Sequence, residues 1–542
     1  MYSSILGSLL IPVLGVHGLP RACNAAVEPV VDLGYSQYQG VRLVGGVDQY
    51  LGMRFAAPPL GDLRFSAPAD PSKTTEIQDA SSFGPICVGV SQIANASQGE
   101  DCLFINVWTP SNATSQSKLP VWLYIQGGGY ALNANANYNG TEVVQQSGHG
   151  IVFVNFNYRV GALGFLASKE VRQDGALNAG LLDQRKVLAW VQENIALFGG
   201  DPEHVVIHGA SAGAGSVALH LAAYGGRNDN LFVGAIPEST FWPTQRTVEE
   251  QQFLYDLFVN GTGCSTSKDT LSCLRSVDID TIQAANIVYP FPGASDDPLP
   301  LWSFLPVIDG DLIRDQLYTA FETGRFIKVP LMVGDDANEG TIFANNASTS
   351  REVAQLMKNN YPKLTPPQLT EIMNAYPLMS PEPMHAPYFH SAAAAYGQAT
   401  FTCPGNHMAA SFAQYLSPDQ VWDYHYDVLD PTEIALGLGV PHTFETPAIF
   451  GLGMTTAYPD ALSYYGSNKP IIPIVMNYWI SFVKTLNPNS FKDANAPEWD
   501  SWGSGTGMRL KIQTNHTDME VVPANLLKNC EMWKRMAMTM EI

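Results

Sequence analysis

Positive charge is scarce in this chain. Its 29 Lys and Arg stand against 50 Asp and Glu, a formal −21 at pH 7, and a surface that acidic repels phosphate backbones and anionic lipid heads. Nucleic-acid binding is thereby excluded. Charge of either sign is thin, at 15% of residues, while 46% are hydrophobic, a balance that neither a disordered chain nor a coiled coil could have. Long apolar runs are missing too. A bilayer crossing needs roughly 20 residues, and the best internal stretch, Ile471 to Val483, contains Pro473 and Asn477 and reads as a core helix. The tail, Met540-Glu541-Ile542, shows neither a retrieval signal nor a hydrophobic anchor. There is no internal repeat and no low-complexity tract. By length alone the 542 residues would make about three or four domains; the motifs below run from Gly127 to His442 and favour one large domain with insertions.

A basic start is also missing, since Met1 to Ser4 carry no charged side chain. A short apolar run follows, Ile5 to Val16, broken by Pro12 and succeeded by the small residues Gly18, Ala22, Ala25 and Ala26. It is too short to span a bilayer. Its position predicts a signal peptide over residues 1–25, cut between 18 and 26, ahead of a single domain over 26–542. The expected location is extracellular, by free secretion. Six N-x-S/T sequons, at Asn95, Asn112, Asn139, Asn260, Asn346 and Asn515, agree with that compartment, and any that are used must lie on the surface. Cysteines number seven. Cys87 with Cys102 and Cys264 with Cys273 are spaced to close short loops in an oxidising environment. A cut near Ala25 removes Cys23 and leaves six; an earlier cut leaves Cys23 as a free thiol or an intermolecular link.

From about residue 120, strand-like apolar runs alternate with helical patterns: VWLYIQ at Val121, IVFVNFNY at Ile151, VVIHG at Val205, LFVGAI at Leu231, VPLMVG at Val329 and VWDYHY at Val421. Such alternation predicts an α/β protein with a mostly parallel sheet flanked by helices. Between the second and third runs Leu182, Val187, Leu188, Val191, Ile195 and Phe198 recur at helical spacing, and Gly199-Gly200 stops the helix. The first hundred residues predict a small antiparallel addition. Pro362 to Tyr396 predicts helical insertions that cap the sheet.

Gly209-Ala210-Ser211-Ala212-Gly213 follows the VVIHG strand and opens a helical run, Ala214 to Tyr224. A strand-to-helix turn of this kind exposes a serine hydroxyl, with glycines on both sides because the turn is too tight for side chains. Alone the pattern is weak: about 0.3 matches are expected by chance in a chain of this length and glycine content. Gly127-Gly128-Gly129 ends the first parallel strand and offers backbone N–H groups for an oxyanion. A serine nucleophile also needs a base and an orienting acid, in the order Ser, acid, His. The loop Gly334 to Gly340 holds three carboxylates, Asp335, Asp336 and Glu339, among which spacing alone cannot choose. Of the downstream histidines, His442 stands out because Gly437-Leu438-Gly439-Val440-Pro441 precedes it after the strand at Val421.

With these residues in place the chain resembles the type-B carboxylesterases and lipases of the α/β-hydrolase fold, the family that includes the cholinesterases. It is most similar to secreted carboxylesterases of filamentous fungi. The likeness runs from about Tyr35 to Trp533. It rests on Tyr50 to Ala56 with Pro58-Pro59, Glu100-Asp101-Cys102-Leu103, Gly127 to Gly129, the Ser211 turn, Pro306 to Gly310, Glu339-Gly340 and His442. The resemblance implies Ser211, Glu339 and His442 as the catalytic triad and Gly128, Gly129 and Ala212 as the oxyanion donors. It also implies disulfides Cys87–Cys102, Cys264–Cys273 and, as in the cholinesterase branch, Cys403–Cys530. Two departures stand out: the family usually has His before its three glycines and Glu before its serine, where this chain has Gln126 and Ala210. Gln126 can still hydrogen-bond to hold the loop, whereas Ala210 deletes a buried acid.

The implied activity is two-step hydrolysis of carboxylic esters, with no metal or organic cofactor, on a small-molecule ester and without a stable membrane anchor. Alternatives are a lipase, a sterol or feruloyl esterase, and an acyltransferase in a biosynthetic pathway. The non-enzyme alternative is an inactive adhesion or scaffold member of the neuroligin-like kind, against which the intact triad positions argue. Tyr130, Phe241, Trp242, Trp302 and Phe304 are aromatic candidates for the pocket, each equally an ordinary core residue. Val88 to Asp101, VGVSQIANASQGED, holds no Phe, Tyr or Trp. In the family the segment closed by the first disulfide carries the lipase lid or the aromatic that binds choline, so a general esterase of soluble substrates is expected. Oligomeric state has no signature in the sequence.

Overall fold

Eleven strands form one sheet in the computed structural model, which describes residues 28–133, 136–459, 461–503 and 507–542. The expected signal peptide and Cys23 lie outside the described residues. In chain order the strands are β1 (Val41–Leu43), β2 (Val47–Arg54), β3 (Phe104–Pro110), β4 (Leu119–Ile125), β5 (Val152–Phe156), β6 (Gly200–Ala210), β7 (Gly234–Glu238), β8 (Leu331–Asp336), β9 (Val421–Tyr426), β10 (Met508–Ile512) and β11 (Asp518–Val521). Their spatial order is β1-β2-β3-β5-β4-β6-β7-β8-β9-β10-β11. The seven strands from β5 to β10 are parallel to their neighbours, and antiparallel pairs close both ends. This is the α/β-hydrolase architecture.

Alternate residues along each central strand feed two cores, as the two-residue period requires. Val121, Leu123 and Ile125 pack on one face with residues of α1 (Ala179–Asn194) and α2 (Ala212–Gly226). Trp122 and Tyr124 pack on the other face with Val475, Trp479 and Phe482. A short 3₁₀ turn extends α1 to Phe198, and Gly199 ends it at φ 83°, a left-handed conformation that glycine adopts without strain.

The antiparallel N-terminal addition divides in two. Val41 to Arg54 joins the main sheet as β1 and β2, while Val30–Asp32, Gln37–Gln39 and Ile77–Asp79 form a separate three-stranded sheet with one parallel pair. Helices cover Pro366–Ala375 and Phe389–Gly397, after which a π-helical turn, Gln398–Thr402, leads into α3 (Cys403–Tyr415). The run at Ile471 is α4 (Ile471–Thr485), packed in the second core, and α5 (Ala524–Met540) ends the chain. Among the described residues no helix is long and apolar enough to cross a membrane. Five sequon asparagines are exposed and Asn139 is half-buried.

Three disulfides are present, Cys87–Cys102, Cys264–Cys273 and Cys403–Cys530, with sequence separations of 15, 9 and 127. The third fastens α5 to the start of α3. Loop-closure entropy grows with the logarithm of loop length, so the third should contribute about 5 kcal/mol and the second about 3 kcal/mol. Cys530→Ser should therefore lower Tm more than Cys273→Ser when both variants are melted without reductant; the reverse order would contradict this ranking.

Candidate active site

The winding of the sheet reverses at β4. The chain leaves β4, crosses to β5 on one side, then returns past β4 to lay down β6 on the other, and ligands of open α/β sheets bind where such a reversal opens a crevice at the strands' carboxyl ends. The Gly127 to Gly129 loop follows β4, and Ser211 follows β6. Ser211 has φ 60° and ψ −125°, a strained conformation for a residue with a side chain. Its N–H donates to the Glu238 carbonyl of β7 at 3.0 Å, and its own carbonyl accepts from Gly215 N–H at 2.9 Å. The flanking glycines are required. A Cβ on Gly209 would sit 2.4 Å from the Gly213 carbonyl carbon, and one on Gly213 would sit 2.0 Å from the Ile125 carbonyl oxygen.

The glycine loop leans on this turn: a Cβ on Gly127 would meet the Ala210 carbonyl at 2.7 Å and Ser211 Cβ at 2.8 Å. Gly128 (φ 112°) and Gly129 (φ 62°) both lie at positive φ. No hydrogen bond engages their N–H groups among the described residues. Ala212 opens α2, where the first N–H has no intrahelical acceptor. Gln126 does hold the loop, its Nε2 donating to the Phe156 carbonyl (3.3 Å) and Asn157 Oδ1 (3.2 Å), while Tyr158 donates its hydroxyl to the Gln126 carbonyl (2.9 Å).

Of the three carboxylates at the end of β8 and in the loop that follows it, Glu339 is the one against the histidine. His442 Nδ1–H donates to Glu339 Oε2 at 2.5 Å, and Asp336 N–H donates to Glu339 Oε1 at 2.8 Å. Both side chains are nearly buried, His442 at 5% and Glu339 at 2% exposure. His442 Nε2 is buried without a partner, and Tyr458 donates its hydroxyl to the His442 carbonyl. The π-helical turn sets Phe401 against the imidazole, with ring centroids 4.4 Å apart, and Thr402 donates to Asp335 Oδ2 at 3.2 Å. Asp335 lines a second cavity of about 270 Å³, together with Glu339, His425 and Arg509 and without His442.

Ser211, Gly127 to Gly129 and His442 line one open cavity of about 330 Å³. Of the five aromatic pocket candidates only Trp302 lines it. Phe241 packs behind Trp302, Trp242 stacks on Phe321, Phe304 packs on Phe258, and Tyr130 packs on Phe165; these four are core residues. Trp302 covers Gly129, where a Cβ would lie 2.2 Å from its ring, and donates Nε1–H to Tyr396 at 3.1 Å. Tyr124, Tyr138, Ile342, Phe343 and Thr456 to Tyr458 are among the other residues that line it. These come from four separate segments and carry no shared motif; the alternation in VWLYIQ, which turns Tyr124 to the cavity side of the sheet, is the one signal in the sequence for any of them.

The family model for the carboxylesterase family matches residues 27–533. The chain belongs to the carboxylesterase family. It is 33% identical over 515 residues to Secreted lipase 1 of Botryotinia fuckeliana, covering 85% of this chain and 86% of that one. It is 33% identical over 504 residues to Secreted triacylglycerol lipase LIP1 of Gibberella zeae, with 84% and 82% covered. The crystal structure of Aspergillus niger EstA superposes with a TM-score of 0.93 at 60% identity, over 95% of this chain and 99% of that one. The protein is a carboxylic ester hydrolase.

Beneath the esterase site lies an unusual number of buried carboxyls. Glu238, in register with Ala210 across β6 and β7, turns to His208 Nε2 (3.0 Å) and accepts from Trp479 Nε1–H (2.6 Å). Burial pushes Glu238, Asp336 and Asp423 well above the usual carboxyl range, Asp335 up to about 6 and Glu445 up to about 8. A carboxyl whose folded pKa is raised keeps a proton that the unfolded chain has released, so its stabilisation is lost as pH rises toward the folded value. Burial lowers His208, His220 and His407 and acts in the opposite sense, but only below about pH 6.5, where unfolded histidine protonates. Above that pH the carboxyls are unopposed by these histidines. Tm should therefore fall between pH 6.5 and 8.5 in scanning calorimetry; a constant or rising Tm would contradict the assignment.

Proposed function

We propose that the esterase hydrolyses soluble carboxylic esters through a Ser211 acyl-enzyme, with His442 as base and Glu339 as its orienting acid. The observation that carries this reading is the imidazole: Nδ1 is fixed on Glu339 while the buried, unpartnered Nε2 belongs to the same cavity wall as Ser211. In the first step Ser211 Oγ bonds to the ester carbonyl carbon and its proton passes to His442 Nε2. The carbonyl π pair moves to oxygen, where the N–H groups of Gly128, Gly129 and Ala212 receive it. Collapse of the intermediate breaks the C–O bond, and His442 returns the proton to the departing alkoxide. Water then repeats the sequence on the acyl-enzyme, releasing the acid and restoring Ser211. An alcohol in place of water would make the same intermediate an acyl donor.

Soluble rather than emulsified substrate is supported by the loop between Cys87 and Cys102. Val90 N–H donates to the Ala131 carbonyl, Ser91 N–H to the Asn286 carbonyl, and Gln283 Nε2 to the Gly89 and Gln92 carbonyls. No residue of this pinned segment lines the cavity, so it neither covers the entrance nor supplies an aromatic for choline. Several relatives carry lipase names; a rate that rises smoothly through the solubility limit of a short-chain ester would separate this protein from interfacial activation. Extracellular life, as one catalytic unit after removal of residues 1–25 and with glycans on the exposed sequons, is the reading that the disulfides and the secreted relatives support.

Four substitutions test the assignment. Ser211→Ala should lower kcat by roughly 10³- to 10⁶-fold with an unchanged melting curve. Glu339→Gln should cost about 10²- to 10⁴-fold, more than Asp335→Asn, because it misdirects the imidazole; the reverse order would identify the wrong acid. Trp302→Ala removes the ring over the oxyanion loop and should raise kcat/KM for longer acyl chains relative to acetyl esters. An unaltered chain-length profile would remove Trp302 from the acyl side of the site.

A further inference from the structure

Two carboxyls beside the Glu339–His442 pair have too few donors for both to be anions. Asp336 ends β8 and is 1% exposed, and its backbone N–H holds Glu339 Oε1. Glu445 follows His442 by three residues and is fully buried, with Oε1 accepting from the Tyr424 hydroxyl at 3.1 Å. If both were ionised, Asp336 Oδ1 and Oδ2 and Glu445 Oε2 would have no hydrogen-bond partner, a heavy penalty for buried charge. The two side chains meet each other. Contact between two carboxyls becomes a hydrogen bond only when one of them carries a proton.

The surroundings favour that proton. Glu339 acts on both members and Glu238 on Glu445, and all of these neighbours are acidic. The Thr443 N–H favours the Asp336 anion and the Glu445 N–H the Glu445 anion, but each is smaller than the burial and the acidic neighbours that oppose it. From the other packed elements come phenols, those of Tyr424, Tyr426, Tyr458 and Tyr464, whose burial keeps them neutral. His442 is engaged by Glu339, and His208 by Glu238.

We propose that Asp336 and Glu445 share one proton, and that this hydrogen bond clips the strand end carrying Glu339 to the loop carrying His442. The two are positioning residues, since neither touches the serine or the cavity. The proposal rests on the reading of Glu339 and His442 as acid and base. Burial and the acidic neighbours hold the pair's proton well above the usual carboxyl range, so the clip is closed at neutral pH. Loss of the proton at alkaline pH leaves two adjacent anions, which repel and part the two segments.

The test is kcat and KM on a soluble ester from pH 6 to pH 10, with melting curves at each pH, for the full chain and for Asp336→Asn and Glu445→Gln. Either amide gives the remaining carboxylate a permanent N–H donor. The alkaline limb of kcat should then move up by at least about one pH unit, and the alkaline fall in Tm should shrink. Asp336→Leu supplies no donor and should lose kcat about tenfold or more while KM changes far less, with Asp336→Asn restoring the rate. An alkaline limb that stays where it is in both amide variants would overturn the proposal, as would full activity in Asp336→Leu. Flattened melting with an unmoved kcat limb would show a shared proton without the clip, and equally overturns it. Failure of the triad reading looks different: Ser211→Ala would remain active while the melting signature of the pair persisted.

Discussion

The turn at Ser211 is the constraint on which the rest of the site depends. A serine at φ 60° and ψ −125° is held there at a cost of about 1–3 kcal/mol, and the surroundings over-determine it. Ser211 N–H is tied across the sheet to β7, Gly209 and Gly213 are crossed by backbone within 2.4 Å of any Cβ, and the loop after β4 rests on the turn through Gly127. Moving the hydroxyl would move the glycine loop with it. The serine turn and the glycine loop are therefore one rigid piece, built at the place where the sheet reverses its winding.

The histidine belongs to a second piece, assembled from β8, the loop after β9 and the π-helical turn. Its charge arrangement is selective. Glu339 has two N–H donors, one from the backbone and one from the imidazole, whereas the carboxyls around it are crowded by one another and pushed toward their neutral forms. A carboxylate held by two N–H donors is fixed in orientation and fixes the imidazole in turn. The acid that the family usually carries at the position of Ala210 is absent; the carboxyl nearest in the sheet, Glu238, turns toward His208 and Trp479 instead.

Much of this was legible beforehand, and the reasons are local. A tight turn demands glycine, a buried parallel strand demands continuous apolar residues, and short cysteine spacings close small loops; each leaves its mark within a few positions. The glycines around Ser211, the run at Val121 and the Cys87–Cys102 pair are of that kind. The choice among Asp335, Asp336 and Glu339 was not open to spacing, because it turns on which side chain the loop after β9 approaches. Four of the five aromatic pocket candidates went into the core for a similar reason: ring chemistry is the same in a wall and in a core, and only packing separates Trp302 from Trp242. The strands β10 and β11 left little trace, because a short strand interrupted by charged residues such as Arg509 and Lys511, and a short edge strand that starts at Asp518, do not present the apolar run that marks a central one.

The long disulfide has a covalent consequence beyond its effect on chain entropy. Cys403 and Cys530 enclose β9, His442, Glu445, the cavity wall at Thr456 to Tyr458, and α4 in a single ring, while Ser211 and Glu339 lie outside it. A protease that cuts once anywhere inside that ring cannot release a fragment, because both new ends remain joined through sulfur. The histidine-bearing quarter of the molecule can be nicked and still stay attached to the serine-bearing part, so that cleavage at an exposed loop would be read by size only after reduction.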